Sequence, residues 1–279
     1  MKSASAVESF DVRGSVSAAE WQMRVDLAAC YRLADHYRWS DLLATHISAR
    51  VPGEDDHFLI NPFGLMFAEI TASSLLKVNE EGNILLPSPY PFNEPGFVIH
   101  GAVHEARPDV NCVVHLHTAD GAAVSALADG LLPLSQTAMT CLPKISYHEY
   151  EGVALNMDER QRLVADLGTK DLMLLRNHGT LACGQTVAEA WTNIYSLERA
   201  CTIQIRAMSA GRLHLPSQQA IDTVATQMKN SRKGSTDGGK AAWTSQDSQV
   251  KKQPPTTYPA RVWPAMLRML DRIDTSYRT

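Results

Sequence analysis

The segment Val113-Val114-His115-Leu116-His117 and the later Arg176-Asn177-His178-Gly179 together put three imidazoles where one metal ion could be held. The first is a short, apolar, β-branched run, and in a strand alternate side chains point to one face. His115 and His117 therefore share a face, with Cα atoms about 6.5 Å apart, so two ring nitrogens can each reach one cation at about 2.1 Å. Asp171-Leu172-Met173-Leu174-Leu175 reads as a second strand. The glycine after His178 permits a sharp turn that would aim this third imidazole from its strand's end. Two such strands side by side would close the site. A lone His-x-His on a strand is commonly a surface or satisfied core pair, and the second strand is what gives the spacing chemical meaning. Three imidazoles suit zinc, and Fe(II), Mn(II) or Co(II) accept the same donors.

These rings need elements to carry them. Ser17-Ala18-Ala19-Glu20 has the form of a capping box, and Trp21, Val25, Ala28 and Leu33 then recur at helical spacing toward Trp39. His46 to Val51 and Phe58 to Asn61 alternate as strands about a Pro52 to Asp56 turn, which predicts a hairpin. Ile70 to Val78 reads as a short helix or turn and Gly82 to Leu86 as a further strand. After the proline-rich stretch Pro87 to Pro95, a helix carrying Phe97, His100, Val103 and His104 runs to Arg107-Pro108, where proline stops it. Thr118 can cap a helix through Leu127, and Leu131 to Leu142 reads as loop and strand. Asp158-Glu159 opens a helix ended by Gly168, and Thr186-Val187-Ala188-Glu189 opens another with the apolar stripe Ala190, Ile194, Leu197, Cys201 and Ile205. Hairpins and helices around one sheet make an α/β or α+β sandwich.

The composition bounds the class. A chain of 279 residues and 30.7 kDa can bury one large core. Net charge −4 and pI near 6.2, without a Lys/Arg cluster, give no electrostatic footprint for nucleic acid or anionic lipid. Residues 1–16 are polar and small, without a signal core, and read as a disordered N-terminus; no apolar run approaches the roughly 18 residues of a membrane span. A cytoplasmic protein without nucleic-acid or membrane partners is expected. Cys30, Cys112, Cys141, Cys183 and Cys201 form no CxxC and read as reduced, buried thiols. The ordered domain is expected over 17–210, followed by a polar linker or mobile loop over 211–255, because Ser217 to Gln253 has too little apolar surface to order itself. In 256–279, Trp263, Met266, Leu267 and Leu270 form a terminal apolar stripe that needs a partner surface, for which a neighbouring subunit is the candidate.

His-Leu-His-Thr (115–118), His-Glu-Ala-Arg-Pro-Asp-Val (104–110), Arg-Asn-His-Gly (176–179), Thr-Val-Ala-Glu-Ala (186–190) and His-Phe-Leu-Ile-Asn-Pro-Phe-Gly (57–64) jointly resemble the class II aldolase and adducin head domain family, from about Glu20 to Ala207. The resemblance implies a three-layer α/β/α sandwich with a mixed, largely antiparallel central sheet. It also implies a homotetramer and one divalent metal per subunit, held by His115, His117 and His178 at a subunit cleft. In the sugar-phosphate aldolases of that family the metal acts as a Lewis acid, and a glutamate nineteen residues before the first histidine ligand transfers the proton. Counting back nineteen from 115 gives 96, which is Gly96; the nearest carboxylate is Glu94. Thr45-His46 stands where the family carries a Gly-Asn phosphate-binding pair, so a phosphorylated substrate is not expected. His46, His100 and His104 are extra imidazoles, and His100 and His104 lie one turn apart on one helix face. Glu94, His100 and His104 are the candidate catalytic residues. Tyr147 to Gly152 resembles the segment at the family's active-site rim, whereas Leu131 to Leu142 lacks the tyrosine that some members lend to an adjacent subunit.

The expected function is a divalent-metal-dependent lyase, most readily with zinc, that breaks a C–C bond next to a carbonyl of a small hydroxy or oxo acid. Decarboxylation tolerates a missing base better than aldol cleavage, because only the later protonation of carbon needs an acid. Two alternatives have the same fold: a non-heme iron oxygenase acting on a hydroxy-acid, and a non-catalytic adducin-like binding domain. Three ligand-competent histidines argue against the last.

Overall fold

The computed structural model describes residues 10–92, 94–152, 157–236 and 257–279. Its elements run α1 (Val12–Ser15), α2 (Ala18–His36), β1 (His46–Val51), β2 (Glu54–Ile60), β3 (Leu76–Asn79), α3 (Glu94–Ala106), β4 (Cys112–Leu116), α4 (Ala119–Ser125), α5 (Gln136–Cys141), β5 (Ile145–His148), α6 (Met157–Leu167), β6 (Leu172–Leu175), β7 (Gly179–Gly184), α7 (Val187–Ala210), α8 (Gln218–Thr236) and α9 (Tyr258–Asp271).

One seven-stranded sheet in the order β3-β2-β1-β4-β7-β6-β5 forms the middle layer. Every neighbouring pair is antiparallel except β5 with β6. Alternation along the central strands sorts side chains to two cores. Cys112, Val114 and Leu116 of β4 and Leu172 and Leu174 of β6 enter a large core with α2 and α7. Val113, Met173, Leu175, Leu181 and Cys183 face the other way, against Ile99 and Val103 of α3 and Leu163 and Leu167 of α6. Helices on both faces of a mixed sheet are the three-layer α/β/α sandwich expected from sequence. All five cysteines are buried and unpaired.

Ser17 caps α2 by accepting from the Glu20 amide, but the Glu20 carboxylate is buried against Arg24 and Lys77. The β1–β2 hairpin turns at Pro52-Gly53, with Gly53 at φ 81, so β2 begins at Glu54, four residues before the position expected from alternation. Four other readings are corrected. Gly82 to Leu86 makes only an isolated bridge between Ile84 and Val78, not a strand. Within Leu131 to Leu142, Ser135 caps the helix α5, where loop and strand were expected; its side chain accepts from the Ala138 amide. The supposed linker contains the helix α8, whose residues Ala225, Thr226 and Met228 line a groove with Thr140 and Pro143. Local helix propensity and that contact outweigh its polar composition; residues 237–256 lie outside the described residues. At the other end, Asp11 caps the short α1 within the segment read as disordered, and residues 1–9 lie outside the described residues.

The terminal stripe finds its partner in its own chain. Trp263, Leu270 and Tyr277 join the core under α2 and α7. The Trp263 indole N–H donates to Asp26 at 2.9 Å, and Arg32 donates to Asp274 and Ser276. The neighbouring-subunit reading is thereby replaced, because α2 and α7 leave an apolar trough that α9 fills. No helix among the described residues is long and apolar enough to cross a membrane.

Candidate metal centre

His115 is the fourth residue of β4, His117 lies one residue past its end, and His178 sits in the turn from β6 to β7. The β4–β7 register, with His115 opposite Leu181 and Leu116 opposite Thr180, brings that turn beside the end of β4. The turn's left-handed residue is Asn177, at φ 54, a conformation asparagine tolerates better than most side chains. Gly179 serves a different purpose from the expected one: a Cβ there would collide with the Leu116 carbonyl and lie 3.1 Å from the His117 ring. The glycine lets two chain segments approach closely enough for their histidines to meet.

They do meet. The His117 Nε2 lies 2.9 Å from the His115 Nε2 and 2.8 Å from the His178 Nε2. These three side chains are the metal-competent cluster among the described residues. The outer nitrogens fix two of the tautomers. The His115 Nδ1–H donates to the Thr180 carbonyl at 2.9 Å, and the His117 Nδ1–H donates to the Asp41 carboxylate at 3.2 Å. Both rings then present bare Nε2 lone pairs to the same point, an unfavourable arrangement unless a cation or proton sits between them. A tetrahedral ion about 2.1 Å from each nitrogen spaces them about 3.4 Å apart, so the two separations from His117 fall roughly half an ångström short of that spacing. Burial and the neighbouring imidazoles hold His115 well below the usual histidine range and His178 at about 4. Neutral rings are the ligand-competent form.

The other sequence candidates lie behind this triad. His46 pairs directly with His115 across β1 and β4, their rings stacked at 6.4 Å. The ring of His46 fills the space over Gly96: a Cβ on that glycine would lie 2.5 to 2.6 Å from it. Gly96 thus lies behind His115, with the His46 imidazole packed into the room a side chain there would need. Among the described residues neither His46 nitrogen has a hydrogen-bond partner, and burial drives the ring's pKa down to about 4. His100 and His104 share one α3 face, as expected, and both meet the Ser48 hydroxyl, at 2.7 and 2.8 Å. The second nitrogen of His104 donates to the Val110 carbonyl at 3.3 Å, so its Nε2 accepts from Ser48, which in turn accepts from His100. That order leaves the His100 Nε2 as a buried acceptor without a partner among the described residues. The His100 ring lies 5.9 Å from that of His46, and both imidazoles help hold down the pKa of His115. Glu94 begins α3, and its side chain lies outside the described residues.

At the rim, the half-exposed Tyr150 places its ring 6.5 Å from His178, in the segment singled out by resemblance. Asp41 escapes sequence reasoning, since nothing in its loop distinguishes it from other surface aspartates.

Comparison with known proteins places these features in context. The sequence model of the class II aldolase and adducin N-terminal domain matches residues 25–205. A Caulobacter vibrioides protein named for aldolase class 2 is 54% identical over 225 residues, covering 80% of this chain and 88% of its own. Alpha-adducin of Rattus norvegicus is 40% identical over 277 residues, 96% of this chain but 36% of that much longer protein. The crystal structure of an aldolase II superfamily protein from Pseudomonas syringae superposes with a TM-score of 0.83 at 47% identity, covering 96% of this chain and 99% of the other.

Proposed function

Given that the chain belongs to the class II aldolase and adducin N-terminal domain family, we propose that it is a divalent-metal-dependent lyase. It cleaves a C–C bond next to a carbonyl, by aldol-type cleavage or decarboxylation, in a small hydroxy or oxo acid that carries no phosphate. One observation carries this reading: three imidazoles converge through their Nε2 atoms, two of them with tautomers set from outside. When bound, one divalent cation per subunit, zinc by preference and Fe(II), Mn(II) or Co(II) as further options, supplies Lewis-acid polarisation of the substrate's carbonyl and hydroxyl oxygens.

His115, His117 and His178 are the ligands, and Asp41 and the Thr180 carbonyl hold two of those rings in orientation. Proton handling falls to groups behind them. Like both nitrogens of His46, the His100 Nε2 is buried without a hydrogen-bond partner among the described residues, and His104 acts on His100 through Ser48 as a positioning residue. Glu94 is the carboxylate nearest in sequence to the position that Gly96 leaves without one. Decarboxylation suits such a site, since a proton is needed only after the C–C bond has broken. The homotetramer implied by the resemblance belongs to the same proposal.

A second reading, a domain that binds without catalysing, is favoured by the 40% identity to alpha-adducin. Elemental analysis of the purified protein, followed by aerobic and anaerobic incubation with small 2-hydroxy and 2-oxo acids, separates the readings. Stoichiometric metal with release of carbon dioxide or an aldehyde, without oxygen uptake, is expected. Oxygen uptake with bound iron would transfer the site to the oxygenase class, metal without turnover supports the binding domain, and absence of metal after reconstitution refutes the site.

A further inference from the structure

We propose that Glu198 of α7 is the positioning residue that ties together the two chain segments carrying the metal ligands. The inference rests on the metal reading above, but the residue lies on the opposite face of the sheet from the imidazoles. Its carboxylate is almost wholly buried, at 1% exposure. One oxygen accepts from the Thr118 hydroxyl and the other from the Thr180 hydroxyl, the latter at 2.5 Å. Thr118 immediately follows His117. Thr180 is two residues after His178, and its carbonyl is the acceptor for His115. All three ligands are thus coupled to one carboxylate, two through the chain and one through a hydrogen bond.

The surroundings are shaped for this contact. The Thr118 oxygen also accepts from the Gly121 amide at 2.9 Å as the cap of α4, so its hydroxyl proton is committed to Glu198. A Cβ on Gly121 would stand 2.7 Å from that oxygen, 2.8 Å from the Thr180 methyl and 3.1 Å from the Glu198 carboxylate, so only glycine lets the three side chains converge. One turn along α7, the Thr202 hydroxyl donates to Asp120 at 2.6 Å, which fixes the same helix to the start of α4. Packing alone does not call for a carboxylate here, because Ile194, Leu197 and Cys201 already seal α7 against the sheet. Burying a carboxylate opposes folding unless its hydrogen bonds are made. Burial pushes Glu198 up to about 7, and the two hydroxyl bonds act against that rise.

Co(II) binding, read by competition with a chelating dye and by the visible absorption of the bound ion, tests the role independently of turnover. Glu198→Ala should raise the Co(II) dissociation constant by about 10- to 100-fold, the range for losing an outer partner of a metal ligand, and alter the visible band. Glu198→Gln should restore most of the affinity. Its amide oxygen can accept from Thr118 while its N–H donates to Thr180, whose hydroxyl then turns to the Leu116 carbonyl 3.4 Å away. A folded Glu198→Ala protein with wild-type affinity and spectrum overturns the inference. Should that variant fail to fold, Thr180→Val against Thr180→Ser decides: the valine must weaken Co(II) binding and the serine retain it, and equal binding by both overturns the role. Wild-type protein that takes up no Co(II) overturns the metal reading itself, an outcome distinct from both.

Discussion

His46 and His115 face each other across the β1–β4 ladder with rings stacked at 6.4 Å and 20° between planes, and the backbone of Gly96 closes against the first of these rings. The two positions are complementary in volume. A glutamate at 96 and a histidine at 46 cannot both occupy this space without one of them moving.

Gly96→Ala should therefore destabilise the protein by about 1–3 kcal/mol, the usual range for overpacking a filled site. His46→Ala makes room, so the double variant should lose less than the sum of the two single variants. Denaturant titration of the four proteins checks this; strictly additive losses would show that His46 does not fill the space over Gly96.

Asp41 holds the His117 Nδ1–H from a half-exposed loop. Asp41→Asn should lower metal affinity by about 10-fold while leaving folding stability within about 0.5 kcal/mol, since an exposed carboxylate contributes little to the fold. His117→Ala should abolish stoichiometric metal with the sheet intact by circular dichroism. Metal content unchanged in the His117 variant would remove that residue from the ligand set.

The metal-free protein should lose stability in both pH directions. The Glu198 pKa is raised in the fold from 4.5 to about 7, so its contribution is fully present below about 4.5 and is lost as pH rises through 7. The loss in full is about 3 kcal/mol at about 1.4 kcal/mol per unit. His104, driven down by burial from 6.5 to about 3, works oppositely: its contribution is present above 6.5 and lost as pH falls. Denaturant midpoints from pH 5 to 8 should show Glu198→Gln losing less than the wild type on the alkaline side. Parallel curves for the two proteins would contradict the shift assigned to Glu198.

Trp263 anchors α9 on α2 through its buried ring and its bond to Asp26. Trp263→Ala should cost about 3–5 kcal/mol. Because the partner surface is in the same chain, the fall in melting temperature should not depend on protein concentration. A concentration-dependent loss would return α9 to a subunit interface.

The local order of this protein is written in its sequence. Ser17, Thr118 and Thr186 cap helices because short hydroxyl side chains satisfy first-turn amides, and apolar periodicity marks α2, α6 and α7 as sheet-packing helices. Two of the three ligands share a face by strand period alone. What remained illegible depends on long-range contact. Asp41 is 76 residues from His117, and Glu198 meets Thr118 from 80 residues away, so no local pattern announces either. α5 is only 6 residues long and α8 is periodic but too polar to announce a buried face, while α9 has a clear stripe but no sequence signal for which surface covers it. A strand or cap is decided by neighbours a few residues away; the metal centre, its supports and the packing of α9 are decided by the register of β4 with β7 and by the helices laid over them, which only the folded chain brings together.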